Sequence, residues 1–302
     1  MNFKKHIRTV LRRVKRWLLG EEKHPSPTVP DVPFDNRDIW MQAAYLKLNQ
    51  DPRCAKRPQY IWGVLQGAAL GKVLGIERIS VIEFGVAGGA GLIAMERAAE
   101  LAEEMVGIEI DVYGFDTGVG MPKPADYRDL PFRWSEGFWP LDKQKLEKLL
   151  RHAKLVLGLI KDTVPAFIQG KPAPVAFAEF DVGTYSSTAD SLNLFGAEHS
   201  LLLPRTFCMF RCLSSPRGDH CDYNGERLAI HEFNNKYAMR KLSPMYGLRY
   251  FVPPVNNWLW PELFYCLHIF DHPLYDKPCS LRQSVDIDTD GKEYFKEVFQ
   301  KQ

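Results

Sequence analysis

Short apolar runs recur along the chain at residues 81–84, 110–115, 154–160, 174–181 and 206–210. Between them apolar positions return at three- and four-residue steps, over 92–105, 142–152, 189–195 and 225–233. Runs of the first kind read as buried strands and stretches of the second as amphipathic helices. Strands separated by helices predict an α/β protein with a doubly wound, mostly parallel sheet. Residues 250–252 and 263–270 read as a closing antiparallel pair. Ahead of the first strand, one helix is expected through Ile39, Ala43, Tyr45 and Leu46, capped by Asp35 or Asn36 and ended by Pro52. A second is expected over 57–74, with Gly75 as its C-terminal cap. Together, residues 34–75 form a helical cover on the α/β core of 76–302.

The N-terminal arm has a different pattern. Lys4, Lys5, Arg8, Arg12, Arg13, Lys15 and Arg16 precede any acidic residue, and Phe3, Ile7, Val10, Leu11, Val14, Trp17 and Leu18 fall on one helical stripe. Residues 1–20 therefore read as a basic amphipathic helix, and residues 21–33, with four prolines in short succession, as a stiff linker. One reading of the helix is peripheral contact with an anionic inner membrane surface, with Trp17 near the headgroups. The other is packing on its own domain or in a homo-oligomer. The arm lacks the continuous apolar segment and cleavage site of a secretory signal.

Composition narrows the class. Forty-five per cent hydrophobic and 25% charged residues are ordinary for a globular protein, and a net charge of +2 argues against nucleic acid as a partner of the whole chain. Six scattered cysteines fit a reduced, cytoplasmic setting. Cys208, Cys212, His220 and Cys221 cluster in sequence, but their spacing fits no familiar zinc template.

The most informative stretch is Glu83-Phe84-Gly85-Val86-Ala87-Gly88-Gly89-Ala90-Gly91. Glycines there let backbone approach a ligand, and the helix behind offers free N–H groups. This is how an open α/β sheet holds a nucleotide-like molecule. Asp116 ends the next strand, where a carboxylate accepts hydrogen bonds from a ribose diol. Asp111 is nearer the dinucleotide spacing but starts the strand, on the wrong edge. Gly89-x-Gly91-x-x-Ala94 fits the dinucleotide fingerprint formally. The strand ends at Phe84, however, so the turn starts at Gly85 and that fingerprint begins several residues late.

Glu83-Phe-Gly-Val-Ala-Gly-Gly followed by Tyr113-Gly-Phe-Asp-Thr-Gly-Val-Gly-Met-Pro122 resembles the macrocin O-methyltransferase-like family of class I S-adenosylmethionine-dependent methyltransferases. Trp134-x-x-Gly137-Phe138, Asp162-Thr163-Val164-Pro165 and the Gly225–Phe233 stretch are also similar. The resemblance covers roughly residues 60–240. It implies a seven-stranded Rossmann-like sheet and S-adenosylmethionine as cofactor. It implies that Gly85 and Gly89 meet the cofactor's amino-acid end and that Glu83 fixes the loop. Asp116 would hold the ribose, with Thr117 helping at the adenosine. Asp162 would reach the adenine, or else simply cap a helix.

Asp181-Val-Gly-Thr-Tyr-Ser-Ser-Thr188 resembles the family's D-x-D-x-Y-x-S-T, whose first aspartate binds a divalent metal and whose second is a candidate base. Such a pair has physical sense: a hard cation holds and acidifies hydroxyls, and a carboxylate takes the proton. Two departures weaken this. Gly183 replaces the second aspartate, and Arg211-Cys212 replaces a later D-D pair. Asp181, Asp219 and Asp222 are the remaining candidates for a magnesium site. Asp181, also beside the cofactor, joins His220 and His231 as a candidate base. Trp258, Trp260 and His272 are candidates for an acceptor pocket.

Three functions stay open. The first is O-methylation of a hydroxyl on a sugar, glycan or small natural product. The second is a catalytically degenerate S-adenosylmethionine-binding or scaffold protein. The third is an NAD(P)-dependent oxidoreductase.

Overall fold

The computed structural model describes residues 37–253 and 260–279. The arm, the linker, Trp258 and the charged tail lie outside these residues. Helix α1 (Arg37–Leu48) leads to α2 (Pro58–Leu74), which ends on Gly75 in the left-handed conformation. The core then alternates: β1 (Arg78–Phe84), α3 (Ala90–Val106), β2 (Glu109–Asp116), α4 (Lys143–Glu147), β3 (Lys154–Leu157), α5 (Ile160–Gln169), β4 (Val175–Phe180), α6 (Tyr185–Leu192), β5 (Leu202–Phe210), α7 (Gly225–Lys236), β6 (Arg240–Pro244) and β7 (Phe264–Ile269). One seven-stranded sheet runs in the order β3-β2-β1-β4-β5-β7-β6, parallel through β5, with β7 antiparallel to both its neighbours. The α/β doubly wound expectation holds.

Several boundaries differ from the sequence reading, with β5 starting at Leu202 rather than 206 and α6 at Tyr185 rather than 189, and three differences are larger. Residues 250–252 are not a strand: Leu248–Tyr250 form a 3-10 turn, and Arg240–Pro244 pair with β7 instead. Gly247 in the left-handed conformation turns the chain away there, leaving Tyr250 and Phe251 exposed. The helix expected over 142–152 shortens to Lys143–Glu147, capped by Asp142 through the Lys145 N–H at 3.0 Å. The third strand stops at Leu157, because Gly158 has φ +138° and Ile160 opens α5.

Side-chain alternation gives the sheet two faces. One carries Ile82, Phe84, Phe115, Ala178, Phe180, Cys208 and Phe210 and packs on α5, α6 and α7 through Ile160, Val164, Leu192, Ile230 and Phe233. The other packs on α2. There the backbone approaches closely, since a Cβ on Gly63 would lie 2.2 Å from the Phe177 ring and one on Gly67 2.8 Å from Ala176. Approaching the carboxyl ends of β1 and β4 this second face becomes acidic, with Glu83 and Glu179 opposite each other in register and Asp181 two residues further on. The strand order reverses between β1 and β4, which is where open α/β sheets place their ligands. No helix of the described residues is long and apolar enough to cross a membrane.

Candidate functional site

A cavity of about 660 Å³ opens over that switch point, in the size range of small-molecule sites. Its floor is set by backbone bonds that line up the strand ends: Gly85 N–H donates to the Phe115 carbonyl at 2.8 Å, Asp181 N–H to Phe84 at 2.8 Å and Arg211 N–H to Phe180 at 2.9 Å. The glycine loop and Asp181 are thereby brought into contact. Gly85 has φ +90°, and a Cβ there would lie 2.4 Å from the Asp181 carbonyl oxygen.

The loop is held by Asp116 rather than by Glu83. Asp116 Oδ2 accepts from the Val86 and Ala87 N–H groups at 3.0 and 2.9 Å, and its Oδ1 accepts from Gly118 at 2.7 Å. Thr117 also turns inward, donating to the Gly120 carbonyl at 2.5 Å. Glu83 instead accepts a hydrogen bond from the Tyr60 hydroxyl of α2. Gly91 makes room for that pair, since a Cβ there would lie 1.9 Å from Glu83 Oε1 and 2.5 Å from the Tyr60 oxygen. A Cβ on Gly89 would meet Leu146 at 2.4 Å. Both glycines of the dinucleotide fingerprint are thus filled by protein, whereas Gly88 faces open space.

Acidic groups gather at the floor and behind it, Glu83 lining the cavity and Glu179 and Glu226 lying off its wall. Glu83, Glu179 and Glu226 are buried, and Glu83 Oε2, both Glu179 oxygens and Glu226 Oε1 have no hydrogen-bond partner. Burial disfavours their charged forms. It raises the Glu83 pKa to about 8, against the Tyr60 hydrogen bond that lowers it. Burial, with the Asp181 charge adding to it, pushes Glu179 well up, and burial does the same to Glu226. Asp181 is open to the cavity, with 37% of its side chain exposed, yet protein surrounds it elsewhere. Desolvation raises its pKa, opposed by Arg211 and then Arg57. Arg211 Nε lies 3.1 Å from Asp181 Oδ2.

These contacts bear on the metal expectation. Asp181 is paired with Arg211. Asp219 takes Arg133 at 2.6 Å, and hydrogen bonds from Ser215 and Arg133 hold its pKa at about 2. Asp222 takes Arg227 at 2.7 Å. Each carboxylate has its own arginine, and among the described residues no three His, Cys, Asp or Glu side chains converge on a metal position. The magnesium set of Asp181, Asp219 and Asp222 is therefore not assembled, and these residues do not fit such a cation. Gly183 explains one departure from the family pattern: it has φ +70°, the Trp134 ring lies 3.0 Å from where its Cβ would be, and Trp134 Nε1 donates to its carbonyl at 2.9 Å. An aspartate has no room there.

The two histidines expected as bases do not line the cavity. His231 lies on the exposed side of α7 against Asn235 at 2.9 Å, and His220 is tucked beneath Gly225 with burial lowering its pKa. Asp162 also stays off the cavity wall, while Leu159, Ile160, Lys161 and Asp190 are on it. Trp260 packs on Tyr45, Trp62 and Phe264, and His272 on His199, so neither lines an acceptor pocket. Residues without a site role in the sequence reading do line it: Arg57, Tyr60, Asp129, Trp139, the motif residue Trp134 and Arg211 of the replaced D-D pair. Asp129, 2% exposed, orders the wall by accepting from Ala125 N at 2.8 Å and from Ser186 N and Oγ at 2.7 and 2.8 Å. Its role had no local sequence signal.

No family model matches this chain, and no curated protein matches it. Solved structures do align. CalS11, a calicheamicin methyltransferase, aligns at 17% identity over 83% of this chain and 99% of its own, with a TM-score of 0.47. The O-methyltransferase NovP aligns at 18% identity over 60% and 75%, with a TM-score of 0.41. An O-methyltransferase from Bacillus cereus in complex with SAH aligns at 13% identity over 71% and 85%, with a TM-score of 0.33. These scores fall below 0.5, so the fold rests on the strand order and the site on this chain's own residues.

Proposed function

We propose that this chain is an S-adenosylmethionine-dependent methyltransferase acting on a hydroxyl of a sugar, glycan or small natural product. One observation carries the reading: Gly85 and Asp181 touch, so a nucleotide-type loop and a carboxylate of raised pKa share one floor. When bound, the cofactor supplies an electrophilic methyl group on a sulfonium. The unpartnered Glu83 Oε2 fits its ammonium, and the open face of Gly88 fits close approach of the nucleoside. Asp116, one edge of the cavity, is proposed to face the ribose with the lone pairs its three amide bonds leave free. Gly85 and Gly89 shape the loop rather than touch the cofactor, and Thr117 braces the turn after β2.

Asp181 is the proposed base, accepting the hydroxyl proton as the oxygen attacks. Arg211 holds that carboxylate in place and presents a fixed positive charge to the developing oxyanion. A guanidinium thus stands beside Asp181, where the family places a cation. Trp134, Phe138 and Trp139 line the cavity and pack edge to face, and they are proposed to cover the acceptor once it binds. Contact of residues 1–20 with an anionic membrane is part of the proposal, checked by co-sedimentation of the full chain with anionic vesicles at low salt.

Calorimetry tests the core of this. S-adenosylhomocysteine should bind at micromolar concentration and NAD should not; binding of neither sinks the reading. Methyl release on a panel of sugars and polyols, with and without chelator, then separates an enzyme from a binding protein. The expected outcome is turnover that chelator leaves unchanged and that Asp181→Asn abolishes.

A further inference from the structure

An α-amino-acid ligand presents a carboxylate as well as an ammonium, and Glu83 answers only the ammonium. A buried carboxylate needs a cation or several donors. Among the described residues five cations line the cavity: Lys123 and Lys161, both exposed and so poorly placed for a buried carboxylate, and three arginines, Arg57, Arg133 and Arg211. Two of the arginines are taken. Arg133 binds Asp219 and Ser215, and Arg211 binds Asp181. Arg57 is half-buried at the N-terminal edge of α2, one turn from Tyr60, whose hydroxyl donates to Glu83. Its guanidinium makes no ion pair or side-chain hydrogen bond among the described residues. It is nonetheless near the acidic floor, since its charge pulls down the pKa of both Glu83 and Asp181.

We infer that Arg57 is the residue that binds the cofactor's α-carboxylate, forming with Glu83 a two-point clamp for the zwitterion. The inference rests on the cofactor reading above. A guanidinium suits a carboxylate because its two N–H donors match the two oxygens. α2 thereby acts as part of the cofactor site and not only as packing.

The test is calorimetry on the full chain with two ligands. One is S-adenosylhomocysteine. The other is S-adenosyl-3-thiopropylamine, which keeps the ammonium and lacks the carboxylate. Wild-type protein should prefer the first, and Arg57→Gln should weaken S-adenosylhomocysteine by about 10- to 100-fold, the worth of a charge-assisted contact. The same change should move the thiopropylamine less than about twofold, erasing the preference, and that retained binding shows the variant is folded. Arg57→Lys should fall between, keeping charge but losing the paired donors. Equal weakening of both ligands, or none, overturns the assignment and leaves the cofactor reading standing. Failure of the wild type to bind either ligand overturns both.

Discussion

Glu83→Gln is the most direct probe of the acidic floor. The amide keeps the shape and an acceptor for the Tyr60 hydroxyl but carries no titratable proton. In the folded protein Glu83 has its pKa raised from 4.5 to about 8. The folded state therefore keeps a proton that the unfolded chain releases above its ordinary value. The sign follows: stability from this group is full below about pH 4.5, declines as pH rises, and is lost once pH passes about 8. Integrating one site between those two pKa values gives a loss of about 2.5 kcal/mol from about pH 5 to about pH 7. Glu179 and Glu226, also raised, add to the slope in the same direction. Urea unfolding of ligand-free protein at a series of pH values measures this. Wild-type stability should fall across the window, and Glu83→Gln should fall less steeply, by about 2.5 kcal/mol over the two units. Parallel curves for the two proteins would show that Glu83 is ionised in the fold and would refute the reasoning.

Four further outcomes are expected. If the cofactor's ammonium sits on Glu83, binding of S-adenosylhomocysteine near pH 7 should release up to one proton, read by calorimetry in buffers of different ionisation enthalpy. Affinity should then rise with pH until about 8, and a flat profile with no proton release would exclude that contact. Arg211→Met, which keeps the apolar stem, should lower turnover about 100-fold while changing S-adenosylhomocysteine affinity little, and should move the acid limb of the pH–rate profile upward as Asp181 loses its cation. Gly91→Ala drives a Cβ into the Glu83–Tyr60 pair and should cost about 1–3 kcal/mol in urea unfolding together with cofactor binding. Asp129→Ala leaves three donors around the cavity wall unpaired and should cost about 1–3 kcal/mol, measured the same way.

The sheet was legible because its central strands are buried on both faces, so apolar runs such as 174–178 marked them directly. Of the two closing strands, 263–270 was read correctly as β7 and the other was misread where this signal fails. β6 carries Arg240, Lys241, Ser243 and Pro244 around one buried leucine, while the exposed Tyr250 and Phe251 imitate a strand. At the site, the register of the glycine loop was legible from where β1 ends. What each glycine faces was not, because Gly85, Gly89 and Gly91 are emptied for Asp181, Leu146 and the Glu83–Tyr60 pair, all distant in sequence.

Under the proposed function, the two departures from the pattern this chain resembles form one rearrangement rather than decay. Where the first aspartate survives, Arg211 from the adjacent strand supplies the charge that carboxylate needs. Where the second is missing, Trp134 fills the space and hydrogen-bonds the backbone in its place. A site losing function under no constraint has no reason to gain a matched counter-charge beside its remaining carboxylate and to close the vacated position with a ring. Nor would it keep Glu83 buried with an oxygen unpaired, at a cost to stability that a bound cation removes. Under the proposed function, the burial that makes these side chains expensive in the empty fold would give them affinity and basicity when the cavity is filled. On that proposal, the trade fits a working site better than a scaffold.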